Sequence, residues 1–524
     1  MWQFILDLGL FLIYLIAFLM LLGWTWRFWM LYVNTEWKSN MNWILLEIKL
    51  PREINKSPEA TELFLRSIIQ TGGLGQWWKL YWQGRVPTVF SLEIACLEGV
   101  IHFYIRTEKK FQTVIESAIY SQYPNIEITV AEDYTNLINY DHEKDDEGVS
   151  GVSLWGCEWD LAKKIKEKEV LPNKDKNKLE DIEYAGDMYP IKTYKDWGLD
   201  KDPKEMYKHD PLTYFLESLA TIGKGEYYWH QIIVRAAATN KDNWDKVYEI
   251  KGSEYAGKEK TLDDLIKVEK TRLLTKFSFK KKGEKVARED DASWKTEIVE
   301  TGEVKDGKAM TKKQTKLFKE DFVVSEGIKP IELTEEKKKQ IELINRKMAK
   351  PRVFAKLRTI YLAEPGKFNP GMISVHMAPI IAPFNEADFF NTFKPNAVAE
   401  PYDFPWQNIM KRRDPWRKQE LNDDYKNRGG FFSHYSSLSE SVELFFDLYL
   451  WKFTSETRGI LGIIVGIIFH PFSNITGTDF VKKANCLNLE ELATLYHFPG
   501  EVAALPNIPR IDSVKGAPPA NLPK

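Results

Sequence analysis

Residues 8–26 run Leu-Gly-Leu-Phe-Leu-Ile-Tyr-Leu-Ile-Ala-Phe-Leu-Met-Leu-Leu-Gly-Trp-Thr-Trp without a single charge. At ~1.5 Å per residue the stretch spans roughly 28 Å, close to the hydrocarbon thickness of a bilayer. Leu8, Phe11, Leu15, Phe18 and Leu22 supply its apolar surface, and Trp24, Trp26, Trp29 and Tyr32 form an aromatic belt at one end. A cleavable signal peptide would need a basic start, whereas the first ten residues hold Asp7 and neither Lys nor Arg. The pattern predicts a single transmembrane anchor over residues 1–35. Arg27, Lys38, Lys49 and Arg52 follow it, which places the N-terminus outside and the bulk of the chain in the cytoplasm.

The pattern then changes to a β-α-β-β-α-β order over 43–134. An apolar strand at 43–50 precedes a helix opened by Ser57-Pro58, an N-cap with proline at N1. Strands at 90–97 and 100–106 flank the Glu98-Gly99 turn, and a helix at 111–123 ends at Pro124. A strand at 126–130 completes a ferredoxin-like order in a first domain, 36–140. Residues 141–188 are charge-dense and read as an insertion, part-helical at 161–170. A second α+β domain is predicted over 189–400. It has a short strand at 189–194, a helix after Asp210-Pro211 and strands at 227–236 and 353–362, with helical stretches at 370–383 and 385–393. A lysine-rich insertion at 239–333 interrupts it, followed by a helix capped by Thr334. The fold class is therefore α+β: a transmembrane helix, then two ferredoxin-like units with charged insertions.

Residues 401–485 form a helical and apolar region. Its greasy run at 459–469 is too short to span a bilayer, although Gly462 and Gly466 make a GxxxG pair. The last region, 486–524, holds a connector helix and a proline-spaced tail. Asn488 is a good N-cap, and Glu491 stands where a capping-box carboxylate belongs. Leu489, Leu492, Ala493 and Tyr496 fall on one stripe, and Pro499-Gly500 closes the helix.

Composition adds little pull in any direction. Of 524 residues 44% are hydrophobic and 28% charged, the mix of a folded protein, and a net charge of −2 gives no global attraction to nucleic acid. Cys96, Cys157 and Cys486 lie far apart without CxxC spacing, which argues against a zinc site or a disulfide framework and suits a reducing compartment.

Catalytic signatures are missing. The nearest approach to a phosphate loop, residues 302–309, places Ala309 where a Mg²⁺-binding hydroxyl is needed and carries acidic residues inside the loop. His142-Glu143 has no second histidine four residues on, and no Gly-x-Ser-x-Gly elbow occurs. No metal or cofactor is expected. Strand 100–105 lacks the aromatic pattern of an RNA-binding sheet. Three basic runs occur, at 280–282, 337–339 and 411–413. Lys411, Arg412 and Arg413 with Trp416 are the best candidates for nucleic acid or anionic lipid, since tryptophans flank them.

The stretch 487–498, Leu-Asn-Leu-Glu-Glu-Leu-Ala-Thr-Leu-Tyr-His-Phe, followed by Pro499, resembles the segment just before the motor domain of bacterial membrane-anchored HerA/FtsK-type, conjugation (type IV secretion-like) ATPases. Residues 45–54, 90–94, 102–107, 189–194, 201–205 and 391–395 resemble the membrane-proximal region of the same proteins. The long inserts, the run at 459–469 and the absence of a nucleotide-binding core depart from that pattern. The resemblance implies a non-enzymatic anchor whose motor is a separately encoded HerA/FtsK-type ATPase. It implies that Leu489, Leu492, Ala493, Tyr496, His497 and Phe498 dock that partner, that membrane lipid holds the N-terminus, that DNA is met indirectly, and that the chain can form a homo-oligomer. A nucleic-acid-binding platform and an enzyme with a dispersed active site are the alternative readings.

Overall fold

Hydrophobic alternation in this chain is resolved into one long sheet. The computed structural model describes residues 2–52, 54, 56–69, 77–86, 88–144, 151–170, 179–200, 210–236, 262–274, 279–281, 296–305, 308–315, 322–324, 334–385, 389–397, 413–429, 484–500 and 507–511. In chain order the first elements are α1 (Trp2–Ser39), β1 (Trp43–Pro51), α2 (Pro58–Ile68), α3 (Trp77–Tyr81), β2 (Val89–Leu97), β3 (Val100–Glu108), α4 (Gln112–Gln122) and β4 (Glu127–Ala131). Then come β5 (Ser153–Leu161), β6 (Lys164–Val170), β7 (Leu179–Ala185), α5 (Pro211–Leu219), β8 (Glu226–Ala236), α6 (Leu262–Leu274), β9 (Phe279–Lys281), β10 (Thr296–Lys305), β11 (Lys308–Thr315) and β12 (Phe322–Val324). The last are α7 (Glu335–Met348), β13 (Arg352–Ala363), α8 (Pro370–Ile381), β14 (Phe393–Ala397), α9 (Arg413–Lys426), β15 (Asn485–Asn488), α10 (Leu489–Leu495) and β16 (Arg510–Ile511).

The chain divides into two units. The first comprises Met1–Ala162, Pro190–Lys246 and Met348–Lys524; the second comprises Lys163–Tyr189 and Val247–Lys347. In the first unit the strands run β14-β5-β13-β8-β2-β3-β1, with β4 and β16 also on β1 and β15 on β13. This sheet contains the same pattern twice. The set β1-α2-β2-β3-α4-β4 has neighbours in the order β4-β1-β3-β2, and the set β5-α5-β8-β13-α8-β14 has them in the order β14-β5-β13-β8. The repeats join through corresponding strands, β2 and β8, paired antiparallel with Glu93 opposite Gln231. Antiparallel pairing of equivalent strands is the arrangement a local two-fold axis produces.

Residues of β2, β8 and β13 are buried on both faces, as central strands should be when both sides of a sheet are covered. On one face Leu46, Ile48, Leu92, Ile94, Phe103, Ile105, Ile232 and Leu357 pack against Phe64 of α2, Ile115 of α4, Phe215 of α5, Ile380 of α8 and Leu492 of α10. On the other, Leu45, Ala95, Tyr104, Trp229, Ile360 and Leu362 meet Tyr134, Ile138 and Tyr140 together with Leu421 and Tyr425 of α9.

The second unit has α6, α7 and the two-stranded pairs β6·β7, β9·β12 and β10·β11. Leu265, Ile266, Leu343 and Ile344 are buried in it, and Glu269, fully buried, accepts a hydrogen bond from Tyr189 at 2.6 Å.

The α+β class is present, with an antiparallel sheet. The second repeat begins earlier than the sequence pattern suggests. Residues 153–161, read as part of a charged insertion, are strand β5, with Leu154, Cys157 and Trp159 buried. Its charges hide this: Glu158 is bonded to Lys356 and Arg358 of the neighbouring strand rather than solvated. The expected helix at 161–170 is strand β6. Among the described residues the expected strand at 189–194 keeps one bridge, Ile191 to Asn391, and 389–392 are not helical but lead into β14. The run at 459–469 lies outside the described residues.

α1 is continuous from Trp2 to Ser39. Leu8, Phe11, Leu15, Phe18 and Leu22 are exposed along it, Trp26 and Trp29 are half-buried, and several side chains, Trp24 among them, lie outside the described set. Among the described residues no helix is long and apolar enough to cross a membrane.

Candidate functional site at the C-terminal helix

The region 484–500 is a deeply buried segment of the first unit that carries several polar residues. β15 extends β13, pairing Asn488 with Arg352 and Asn485 with Ala355. The Asn485 amide donates to the Trp159 carbonyl at 2.6 Å and its oxygen accepts from the Leu161 N–H at 2.8 Å, tying the strand to the end of β5. Asn488 then caps α10. Its side-chain oxygen accepts from the Glu491 N–H at 2.8 Å, and Glu491 accepts in return from the Asn488 N–H at 2.7 Å, the reciprocal capping box.

Both faces of the helix are covered. Leu489, Leu492, Ala493, Tyr496, His497 and Phe498 are all at most 3% exposed. The ring of Phe498 stacks on Phe64 of α2 at 6.1 Å and meets Tyr123 edge-on at 5.0 Å and Phe103 of β3 at 5.9 Å. These six residues are brought together, but inside the fold. A docking role for them is corrected accordingly: α10 packs against α2 and α5, so its apolar stripe is already occupied.

The polar residues of α10 hold the segment 190–196 and the start of β13. Glu491 accepts from the Ile191 N–H at 2.9 Å, and Thr494 from the Tyr194 N–H at 3.0 Å. Glu490 takes the Thr193 hydroxyl at 2.6 Å and the Lys350 ammonium at 2.8 Å, with Lys195 at 3.7 Å. Lys350 also reaches Glu62 at 2.6 Å, and the Tyr194 hydroxyl donates to Glu62 at 2.9 Å. Burial opposes the Lys350 charge, but Glu490 and Glu62 outweigh it and raise its pKa. Burial, then the adjacent Glu62, pushes the Tyr194 hydroxyl well up, so it stays a donor.

His497 lies between the Ala493 carbonyl, 3.0 Å from Nδ1, and the Asp210 carboxylate, 3.0 Å from Nε2. Asp210 in turn caps α5 through the Leu212 N–H at 2.9 Å. Burial pushes the Asp210 carboxyl up, yet His497 and the capping bonds hold it below the usual carboxylate range.

The carboxylates of Glu490 and Glu62 are thus bridged by Lys350 and receive the hydroxyls of Thr193 and Tyr194. Among the described residues no group of His, Cys, Asp and Glu could hold a metal ion. The arrangement is suited to holding chain segments in register.

A second buried network, on the opposite face, was not visible as a site in the sequence. Arg428, with a positive φ of 48°, grips Glu93 of β2 through two bonds of 3.0 Å each and also pairs with Asp133. Tyr134 donates to Glu93 at 2.7 Å, and Gln231 of β8 donates to it at 3.1 Å. Arg358 of β13, with no exposed side-chain surface, binds Glu158 at 2.7 Å and the Gly429 carbonyl at 2.7 Å. These bonds clamp residues 424–429 onto the sheet. Burial opposes ionisation of Glu93 and Glu158, but their cationic partners prevail and lower both pKa values, Glu158 to about 2. The available signal was a charge at an inward position of an otherwise apolar strand, at Glu93 and at Arg358.

Of the basic candidates, Lys411 and Arg412 lie outside the described residues, as do the side chains of Arg413 and Trp416; Arg413 begins α9. Comparison with protein-family models, with curated proteins and with solved structures finds no match to this chain.

Proposed function

We propose that this chain is a non-enzymatic, membrane-anchored scaffold of a type IV secretion or conjugation-like DNA or protein transfer machine, anchoring a separately encoded HerA/FtsK-type ATPase. One observation carries the reading: four of the blocks that resemble the membrane-proximal part of such ATPases, 45–54, 90–94, 102–107 and 189–194, share a core or hydrogen bonds with the helix of the block at 487–498. Residues 45–54 bring Leu50 and Ile54, residues 90–94 bring Leu92 and Ile94, and residues 102–107 bring Phe103, all into the core that holds Phe498. Residues 190–194 meet Glu490, Glu491 and Thr494. Blocks spread over residues 45–194, about 300 residues before the helix, acquire a common purpose when they build the cradle of one helix.

In this reading α1 is the anchor, with its N-terminus outside the cell membrane, and each repeat of the sheet is a ferredoxin-like unit of a cytoplasmic platform. The helix α10 is a keystone rather than a free connector. After it, the Asn507 carbonyl accepts from the Ile101 N–H at 2.9 Å, and β16 pairs with Leu50 and Pro51. The motor would then be met beyond this point or on the platform surface, not by the buried stripe.

The test is co-purification of the full chain from membranes with an ATPase encoded by the adjacent gene. Retention of the motor by the full chain supports the scaffold role, and a truncation after Ile511 keeps the seat whole while asking whether the tail makes the contact. Failure of the full chain to retain any motor overturns the proposal.

A further inference from the structure

The segment 77–85, Trp-Trp-Lys-Leu-Tyr-Trp-Gln-Gly-Arg, is dense in the residues that favour a membrane–water interface, and no role has yet been given to it. It is fixed to α1 just past the uncharged stretch. The Trp29 indole donates to the Tyr81 carbonyl at 3.0 Å. Trp82 meets Trp29 edge-on at 5.4 Å, and Tyr81 lies against Trp26 at 5.8 Å. Met30 and Val33 are buried beneath these rings. The approach is close enough to demand glycine: Gly84 has φ +63°, and a Cβ there would stand 2.3 Å from the Val33 carbonyl oxygen.

The outward side of this cluster is apolar and open. Trp82 is 58% exposed, Trp78 39%, Tyr32 61% and Phe28 59%. Burying such rings inside the unit would be the ordinary outcome for a water-facing surface of a folded domain. Their height along α1 supplies the explanation. Residues 26–33 occupy roughly 10 Å of helix axis beyond residue 26, which matches the depth of a headgroup layer outside a hydrocarbon core of about 30 Å. Lys79, its ammonium 5.7 Å from the Trp78 ring, and Arg85 add positive charge at the same level, complementary to anionic headgroups.

We infer that residues 77–85 form a collar lying in the headgroup layer of the bilayer, with Trp78, Trp82, Phe28 and Tyr32 inserted at the interface and Lys79 and Arg85 toward lipid phosphates. The collar rests on the reading of α1 as the anchor. It fixes the first unit at a set height and tilt against the membrane, since α3 leads through Gly84 into β2, the strand that joins the two repeats. A flexible tether could not transmit such an orientation.

The test uses the full chain in phosphatidylcholine/phosphatidylglycerol vesicles, with one spin label per variant. All three native cysteines are buried, and burial pushes Cys96 and Cys157 up to about 12, so an introduced surface cysteine is labelled selectively. Variants Leu15→Cys, Gln83→Cys and Lys367→Cys are compared by collision with oxygen and with a water-soluble nickel chelate. The collar requires the label at 83 to be several-fold less accessible to nickel than that at 367, at a depth between those of 367 and 15. A label at 83 as nickel-accessible as that at 367, with 15 in hydrocarbon, overturns the collar and leaves the anchor standing. Water exposure at 15 overturns the anchor itself, and water exposure at both 15 and 83 overturns both.

Discussion

The two repeats of the first unit share one strand order and differ in how their strands are connected. In the first, β2 passes to β3 through two residues, Glu98 and Gly99, between the paired Leu97 and Val100. In the second, the corresponding strands β8 and β13 are separated by residues 237–351, and β5 is separated from α5 by residues 162–210. Closing a longer loop costs only ~0.6 kcal/mol per doubling of its length, so the sheet tolerates both arrangements. Their edges also differ. β14 carries Pro395, which cannot donate to an added strand, whereas β4 ends the other side with Val130 61% exposed. Each repeat carries a buried ion-pair centre, Glu93 with Arg428 in the first and Glu158 with Lys356 and Arg358 in the second. A repeat assembled from distant segments needs directional bonds to set its register, and Lys356, Arg358 and Glu158 supply them.

The largest effect should come from cutting the polar join between the repeats. Glu93 and Gln231 face each other across β2 and β8, and Arg428, in the turn just after α9, neutralises Glu93. Arg428→Ala leaves a fully buried carboxylate without its cation, a loss of about 3–5 kcal/mol in denaturant unfolding. The pair Glu93→Met with Arg428→Met should lose markedly less than either single variant, because the only carboxylate left without Arg428, Asp133, is part-exposed to water. Equal losses for single and double variants would show that the bonds themselves, rather than the burial of an unpaired charge, hold the join.

Legibility in sequence follows the same division. The first repeat was readable because its elements are contiguous, its turn is signalled by Glu98-Gly99 and its strands alternate cleanly. The capping box of Asn488 and Glu491 was readable for the same reason: every partner lies within four residues. In β5 the acidic Glu158 looked like a solvated position, because its partners Lys356 and Arg358 are about 200 residues away. The seat of α10 was half visible. Its apolar stripe was plain, but the stripe of an amphipathic helix does not say whether the surface that covers it belongs to the same chain or to another. Glu490 and Thr494, on the side expected to face water, were the missing clue, since they bond to residues 190–196 and to Lys350.

Acid should separate the repeats by a smaller amount. Glu158 has a folded pKa of about 2, below the ~4.3 of an unfolded glutamate. Its contribution is therefore complete above the unfolded value and is lost as pH falls through the folded one. Unfolding free energy measured from pH 6 to pH 2 should decline through this window, and Glu158→Gln should start lower and decline less steeply. Glu93, lowered by Arg428, adds a slope of the same sign. An unchanged slope in Glu158→Gln would mean that the second repeat does not depend on this ion pair.

The smallest effect concerns the hairpin of the first repeat. Glu98 has φ 51° and Gly99 φ 91°, the two positive values a two-residue hairpin needs. At Gly99 a Cβ would come within 2.8 Å of the Ile222 carbonyl oxygen, a backbone atom that cannot rotate away. Gly99→Ala should therefore cost about 1–2 kcal/mol through backbone strain, seen as a lower denaturant midpoint with an unchanged slope. Gly366, which follows β13 of the second repeat, is also at positive φ (75°) but has open space around its Cβ direction and so serves as the control. Gly366→Ala should carry only the conformational part of the penalty, about 1 kcal/mol or less. If both substitutions cost the same, the close approach of Ile222 contributes nothing and the tight turn of the first repeat is held by its dihedral angles alone.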